Sequence, residues 1–312
     1  MINDNKKINF VFFGSSRFSV IVLDELEKLG YVPSLIVTTP DKPKGRGLIL
    51  QPTPVKEWGL KRKISVLDPI KLDSEFIAKL QIVNCKFFLV ASYGKIIPSV
   101  VFNIPQYKTL NIHPSLLPKY RGASPLQSAM LNDDKRAGVT IMRINEKMDE
   151  GPIIAQKEVA VSEWPTYEEF EELIAKAGAR LLAEIIPDWI GGRIKEQSQD
   201  NGMATYTKKI VKEDALLDLN ADARINFLKV QAFHEWPTAY FMAEGRGLRV
   251  EGRTKKIRVK VTKASFKDGQ FVIEKVIPEG SKEMGYEDFV RGYFDPKSPR
   301  FHQLADRESP PL

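Results

Sequence analysis

The chain has 312 residues, 43% hydrophobic and 28% charged, with a formal charge of +7 from 47 Lys and Arg against 40 Asp and Glu. That balance belongs to a folded globular chain, excludes a disordered one, and leaves no apolar run near the length of a membrane span. The single cysteine, Cys85, excludes an intrachain disulfide and a cysteine-built metal cluster, so a cytoplasmic protein without a metal is expected. Lys7–Phe13, KINFVFF, reads as a buried strand, followed by a turn over Gly14–Phe18, a helix over Ser19–Leu29 and a second strand over Tyr31–Thr38. This β-α-β opening points to a parallel sheet. Cys85–Ala91, CKFFLVA, is an unbroken apolar run, as in a central strand covered on both faces. Thr109–Ile112 is a short strand that leads into the polar loop His113–Pro125, and side chains at such carboxyl ends build active sites. A helix starts at Gln127, and Gly138–Ile144 and Ile153–Val161 read as strands.

Tyr167–Trp189 is the longest helical pattern, with Leu173, Ile174, Ala177, Leu181, Leu182 and Ile185 on one face and Pro187 placed to stop or kink it. Gly191–Gly202 is polar and holds three glycines, which marks a linker. The expected domains are residues 1–190, a linker over 191–204, and a second domain over 205–312. In the second domain Ile225–Phe233 reads as a helix. Tyr240–Met242, Leu248–Val250, Ile257–Thr262 and Gln270–Val276 read as short strands of a small, barrel-like β unit. The tail from Phe294 is expected to be irregular. No coiled coil or swapped element is read, so a monomer is expected.

Asn111 and His113 flank Ile112 and alternate to one side of their strand, and Asp149 sits in the tight polar segment EKMDEGPI. An imidazole that moves a proton, a carboxylate that orients it and an amide that stabilises oxygen charge suffice for acyl or formyl transfer to an amine. Taken alone, His113 equally caps a loop and Asp149 equally holds a turn. Ser115 lacks the G-x-S-x-G surroundings of a hydrolase nucleophile. Lys42, Lys44 and Arg46 surround Gly45 and Gly47 in a basic loop that either contacts phosphates or is simply exposed. From Arg246 to Lys267 there are nine bases, Arg249, Lys255, Lys256, Arg258 and Lys260 among them, and the one acid is Glu251. Such a stripe suits a phosphate backbone or a solvated face. His234 has no second His or Cys near it in sequence and reads as a packing residue.

Asn111–Gln127, NIHPSLLPKYRGASPLQ, and Gly138–Val159, GVTIMRINEKMDEGPIIAQKEV, resemble the hallmark segments of the methionyl-tRNA formyltransferase family. DKPKGRG and QPTPVK within Asp41–Lys56, Tyr93, Gly94 and Pro98 in SYGKIIP, TYTKKI at Thr205–Ile210 and AFHEWPTAYF at Ala232–Phe241 extend the resemblance over residues 7 to 263. It implies a Rossmann-like α/β formyltransferase domain with a mostly parallel sheet, plus a C-terminal OB-like β-barrel domain. It further implies 10-formyltetrahydrofolate as cosubstrate and initiator methionyl-tRNA as partner. Asn111, His113 and Asp149 would be catalytic. Ser115, Leu116, Leu117 and Pro118 would contact the folate, with the backbone of Val90, Ala91, Ser92 and Tyr93 around the pterin. The Arg46 loop and the basic second domain would bind tRNA. The chain departs from the family at Arg17, a base where an acid is usual, at His234-Glu235 before Trp236-Pro237, and at Ser92. A folate-dependent formyltransferase for an amino sugar nucleotide would share fold and triad and differ in acceptor.

Overall fold

The apolar runs of the first half become the inner strands of one sheet, because only strands covered on both faces bury every side chain. A computed structural model describes residues 8–44, 47–250 and 253–293, and side chains for all of these except 44, 245–250 and 253–255. The elements follow in chain order as β1 (Phe10–Phe13), α1 (Arg17–Lys28), β2 (Leu35–Val37), β3 (Lys42–Lys44), β4 (Ile49–Gln51), α2 (Pro54–Lys61), β5 (Ser65–Leu67), α3 (Ser74–Ile82), β6 (Phe87–Val90) and α4 (Ser99–Phe102). Next are β7 (Thr109–His113), β8 (Arg121–Gly122), α5 (Pro125–Leu131), β9 (Arg136–Arg143), β10 (Ile153–Ala160), α6 (Tyr167–Ile190) and β11 (Tyr206–Thr207). Last come α7 (Ala223–Ala232), β12 (Tyr240–Val250), β13 (Arg253–Lys267), β14 (Gln270–Pro278), β15 (Met284–Gly285) and α8 (Tyr286–Tyr293). Sequence patterns place most of the sheet strands and α6, but not α2, α3 or β5, whose apolar positions are few or partly exposed.

The main sheet has the order β10-β9-β7-β6-β1-β2-β5. The five strands from β5 to β7 are parallel, and β9 and β10 add on antiparallel to their neighbours. Val11 and Phe13 on one face pack with Phe76 and Leu80 of α3 and with Val101 and Phe102 of α4. On the other face, α6 lies so close that a Cβ on Gly178 would sit 2.6 Å from the Ile112 side chain. Pro187 falls in the last turn of α6 and the helix runs on to Ile190, so it marks the helix end without breaking it. Among the described residues, no helix is long and apolar enough to cross a membrane.

Glu25 of α1 is buried, and it accepts from Arg180 Nε at 2.7 Å and from Lys28 Nζ at 3.3 Å. The Arg180 hydrogen bond leads in holding its carboxyl below the ordinary value of 4.5, against the opposing effect of burial. A carboxylate lowered in the folded state stabilises above its unfolded value and loses that stabilisation as pH falls through its folded value. Urea unfolding is therefore expected to show Glu25→Gln less stable than the parent by about 1 kcal/mol at neutral pH. The gap is expected to close on acidification below 4.5, and a gap that ignores pH would refute this account.

The chain divides into two compact units. The first holds the chain up to Pro125 with Lys135–Val161 and Glu171–Lys208, and the second holds Leu126–Asp134, Ser162–Phe170 and the chain from Lys209 on. In the second, β12, β13, β14 and β15 form an antiparallel sheet in that order. Tyr240–Met242 and Leu248–Val250 belong to one strand, β12, with a register shift between Glu244 and Arg249. Glycines 245 and 247 fall within that shift, where five residues of β12 pass against two of β13. Phe227 of α7 packs on Phe266, and Phe289 of α8 on Phe241, at centroid distances of 5.8 and 6.2 Å. Asp133 accepts from Trp164 Nε1 at 2.6 Å and from Arg224 at 2.9 and 3.1 Å, which ties three chain segments of this unit together. His234 Nδ1 donates to Glu168 Oε2 at 2.8 Å. The tail from Phe294 lies outside the described residues.

Candidate active site

β1 runs on to β2 and β5 on one side, while β6 and β7 lie on the other. The carboxyl ends of β1 and β6 therefore flank a topological switch point, where open α/β sheets hold ligands. The turns after these strands are stitched together. Ser15 N donates to Ser92 O at 3.1 Å, Ser15 Oγ to Tyr93 O at 3.2 Å and Ser19 Oγ to Ala91 O at 2.6 Å. Arg17, a base at the positive end of α1, would be unfavourable there alone. Its Nη1 donates to Glu171 Oε2 at 2.6 Å, which offsets that cost.

Val90, Ala91 and Tyr93 are buried, and the carbonyls of Ala91 and Tyr93 are already taken by Ser19 and Ser15, while Ser92 is exposed at φ +52°. The Tyr93 ring meets Phe13 edge-on at 5.4 Å, and burial pushes its phenol up to about 12, so it stays protonated and serves as no base. Beside it, Gly94 has φ +77° and nothing within 4 Å of where a Cβ would stand, so the backbone edge is open.

β7 carries Asn111 and His113 two residues apart and so to one side of the sheet. Asn111 is half-buried and His113 is buried. His113 Nε2 donates to the Tyr120 carbonyl at 3.0 Å, since a carbonyl only accepts. The loop between them is bonded to itself and to β9 and β10. Ser115 Oγ donates to Lys119 O at 2.6 Å, Leu117 N to Thr140 Oγ1 at 3.0 Å and Gln156 Nε2 to Leu117 O at 2.8 Å. Ser115 and Leu117 are thus buried and committed to these bonds, while Leu116 and Pro118 are half-buried and have surface to offer.

Asp149, in the turn between β9 and β10, has φ +52°. Its Oδ2 accepts from Gly122 N at 2.8 Å, and its Oδ1 lies 3.7 Å from His113 Nδ1. That separation is an ion-pair distance, longer than a hydrogen bond. The pair can hold a proton on Nδ1, and Asn111 supplies a neutral donor from the same strand. Two residues that the sequence reading did not single out complete the surroundings. Arg121 is wholly buried, and Gln199 donates from Nε2 to the carbonyls of Asp149 and Gly151 at 2.8 and 2.7 Å. Arg121 stands inside the segment NIHPSLLPKYRGASPLQ, whereas nothing in the polar stretch around Gln199 signals its partner.

The basic candidates fall elsewhere. Lys42 is exposed on the β3–β4 hairpin. Along β13, Lys256, Arg258 and Lys260 are exposed and alternate with buried Ile257, Val259 and Val261. Lys256 pairs with Glu244 at 2.8 Å, and the Arg258 guanidinium lies 4.6 Å from the Tyr240 ring centre. Arg46 and the side chains of Lys44, Arg249 and Lys255 lie outside the described residues. Among the described residues, no cluster of three or more His, Cys, Asp or Glu is placed to hold a metal.

Residues 6–186 match the Formyl transferase family. The methionyl-tRNA formyltransferase of Bacillus licheniformis is 35% identical over 297 residues, covering 90% of this chain and 94% of its own length. That of Bacillus subtilis is 36% identical over 298 residues, covering 90% and 94%. Among solved structures, the methionyl-tRNA formyltransferase from Clostridium thermocellum superposes with a TM-score of 0.57 at 17% identity, covering 87% of this chain and 99% of its own. An N-formyltransferase from Helicobacter canadensis, solved with folinic acid and dTDP-3-aminofucose, gives 0.60 at 17% identity, covering 85% and 90%. These two structures share the fold, and the sequence matches carry the kinship: the chain belongs to the formyl transferase family, among the methionyl-tRNA formyltransferases.

Proposed function

We propose that the protein transfers the formyl group of 10-formyltetrahydrofolate to the amino group of methionyl initiator tRNA, giving N-formylmethionyl-tRNA. The observation that carries this reading is identity above one third, along nine-tenths of the chain, with methionyl-tRNA formyltransferases. The site's residues fit the folate. Exposed Ser92 and the open backbone at Gly94 suit a flat ring with a polar edge, and half-buried Leu116 and Pro118 supply apolar surface. When bound, the folate supplies an activated formyl carbon. Asn111 donates from Nδ2 to the formyl oxygen as the amine adds and that oxygen gains charge. His113 keeps Nε2 on Tyr120, so Nδ1 takes the proton released by the amine and returns it to the departing nitrogen. Asp149, 3.7 Å away, stabilises the imidazolium in between.

Lys42, Lys256, Arg258 and Lys260 are assigned to tRNA phosphates, and Lys44, Arg46, Arg249 and Lys255 join them from the sequence alone. The second unit is read as an OB-like, tRNA-binding domain. The protein is read as cytoplasmic from its single cysteine, and as a monomer because its sequence carries no coiled-coil or swap signal. With saturating 10-formyltetrahydrofolate and equal amounts of methionyl initiator tRNA and a UDP-amino sugar, formyl is expected on the tRNA. Preferential formylation of the sugar would overturn the acceptor assignment.

A further inference from the structure

We infer that Gln199, clamped by the buried Arg121, is a positioning residue that sets Asp149 against His113. This rests on the reading that His113 and Asp149 perform the proton transfer. The amide of Gln199 is used at both ends. Oε1 accepts from Arg121 Nε at 3.1 Å and Nη2 at 2.8 Å, while Nε2 donates to the carbonyls of Asp149 and Gly151. Only one amide orientation meets a cation on one side and two carbonyls on the other, so the side chain is locked.

Arg121 is in turn fixed on every edge. Its Nη2 donates to Asn201 Oδ1 at 2.8 Å, its Nη1 donates to Tyr206 Oη at 3.0 Å and lies 3.4 Å from Glu150 Oε1, and its backbone N donates to Thr205 O at 2.9 Å. The next residue, Gly122, donates its N to Asp149 Oδ2. Asp149 is thus held twice from the same short strand, directly through its carboxylate and through Gln199 by its carbonyl. Its left-handed backbone, φ +52°, is a conformation that persists where surrounding bonds hold it. At 3.7 Å the carboxylate is already at the limit of an ion pair with His113 Nδ1, so a small outward relaxation of this turn removes it from the ring.

The test is a double-mutant cycle on formyl transfer to methionyl initiator tRNA. Gln199→Ala is expected to lower kcat roughly tenfold to a hundredfold, the loss that a misplacement of about 1 Å brings, with both KM values little changed. In an Asp149→Ala background, the same change is expected to lower the residual rate no further, because Gln199 acts through that carboxylate. Gln199→Glu keeps the size and the grip on Arg121 but has no donor for the two carbonyls, so it is expected to behave as Gln199→Ala. Gln197→Ala, in an exposed residue that bonds Ile153 through its backbone, is expected to match the parent. Unchanged kcat in Gln199→Ala, full rescue by Gln199→Glu, or multiplicative losses in the double variant would overturn the inference. Full kcat in Asp149→Ala alone would instead overturn the catalytic reading beneath it.

Discussion

His113→Ala is expected to lower turnover by about 10²- to 10⁴-fold, the usual worth of a positioned proton-transfer group. The loss is expected in kcat at saturating folate and tRNA, because the proposed proton transfer follows the binding of both. The substitution also removes the His113 hydrogen bond to the Tyr120 carbonyl and opens space at a buried position. A stability loss of about 1 kcal/mol follows from the lost hydrogen bond. His113→Gln tells the two effects apart, because its amide can still donate toward Tyr120 but cannot take a proton at neutral pH. Its melting temperature is expected to lie closer to the parent's while its turnover stays as low as that of His113→Ala. Turnover within about threefold of the parent in either variant would remove His113 from the chemistry.

The sheet was legible because its inner strands announce themselves. FVFF and FFLV are apolar without a break, and both are fully buried. Their order was not legible, since pairing β1 with β6 joins residues far apart in the chain. β3 reads Lys-Pro-Lys, a composition that argues against a strand, and it survives as half of a two-stranded hairpin that needs no proline donor. In the site, alternation alone sets Asn111 and His113 on one side. Asp149 is different. Its place depends on the turn between β9 and β10 and on the Gly122 amide, neither of which shows in spacing. Arg121 and Gln199 were hidden for the same reason, because their bond spans 78 residues.

Chemistry and acceptor rest on different residues. An N-formyltransferase solved with dTDP-3-aminofucose shares the fold at a TM-score of 0.60, so the fold alone does not name an acceptor. The acceptor therefore rests on the near-full-length sequence matches, while the proposed proton transfer rests on the His113–Asp149 pair.

Gly151→Ala is expected to be among the most damaging single changes in the chain, although it adds one methyl group. A Cβ at this position would stand 1.7 Å from the Arg143 carbonyl oxygen and 2.9 Å from its carbon. Backbone cannot swing aside as a side chain does. Arg143 N donates to Pro152 O at 2.9 Å, and Arg143 and Met142 of β9 pair with Leu110 and Asn111 of β7. Relief by moving β9 therefore disturbs the strand that carries Asn111 and His113. Relief by moving residue 151 pulls it from Gln199 and shifts Asp149, two residues away. Overpacking against fixed backbone costs about 3 kcal/mol or more. Either route is expected to lower kcat at least about tenfold in whatever fraction folds, the scale of loss that small displacements of reacting groups produce. Gly269→Ala is the contrast. Its backbone is left-handed, φ +78°, but nothing lies within 4 Å of where its Cβ would stand, so the substitution carries conformational strain alone. That strain is worth about 1 kcal/mol and is expected to leave turnover intact. Urea unfolding and kcat measured on both variants decide the matter, and a Gly151→Ala protein as stable and active as Gly269→Ala would show that the turn holding Asp149 is not fixed as described.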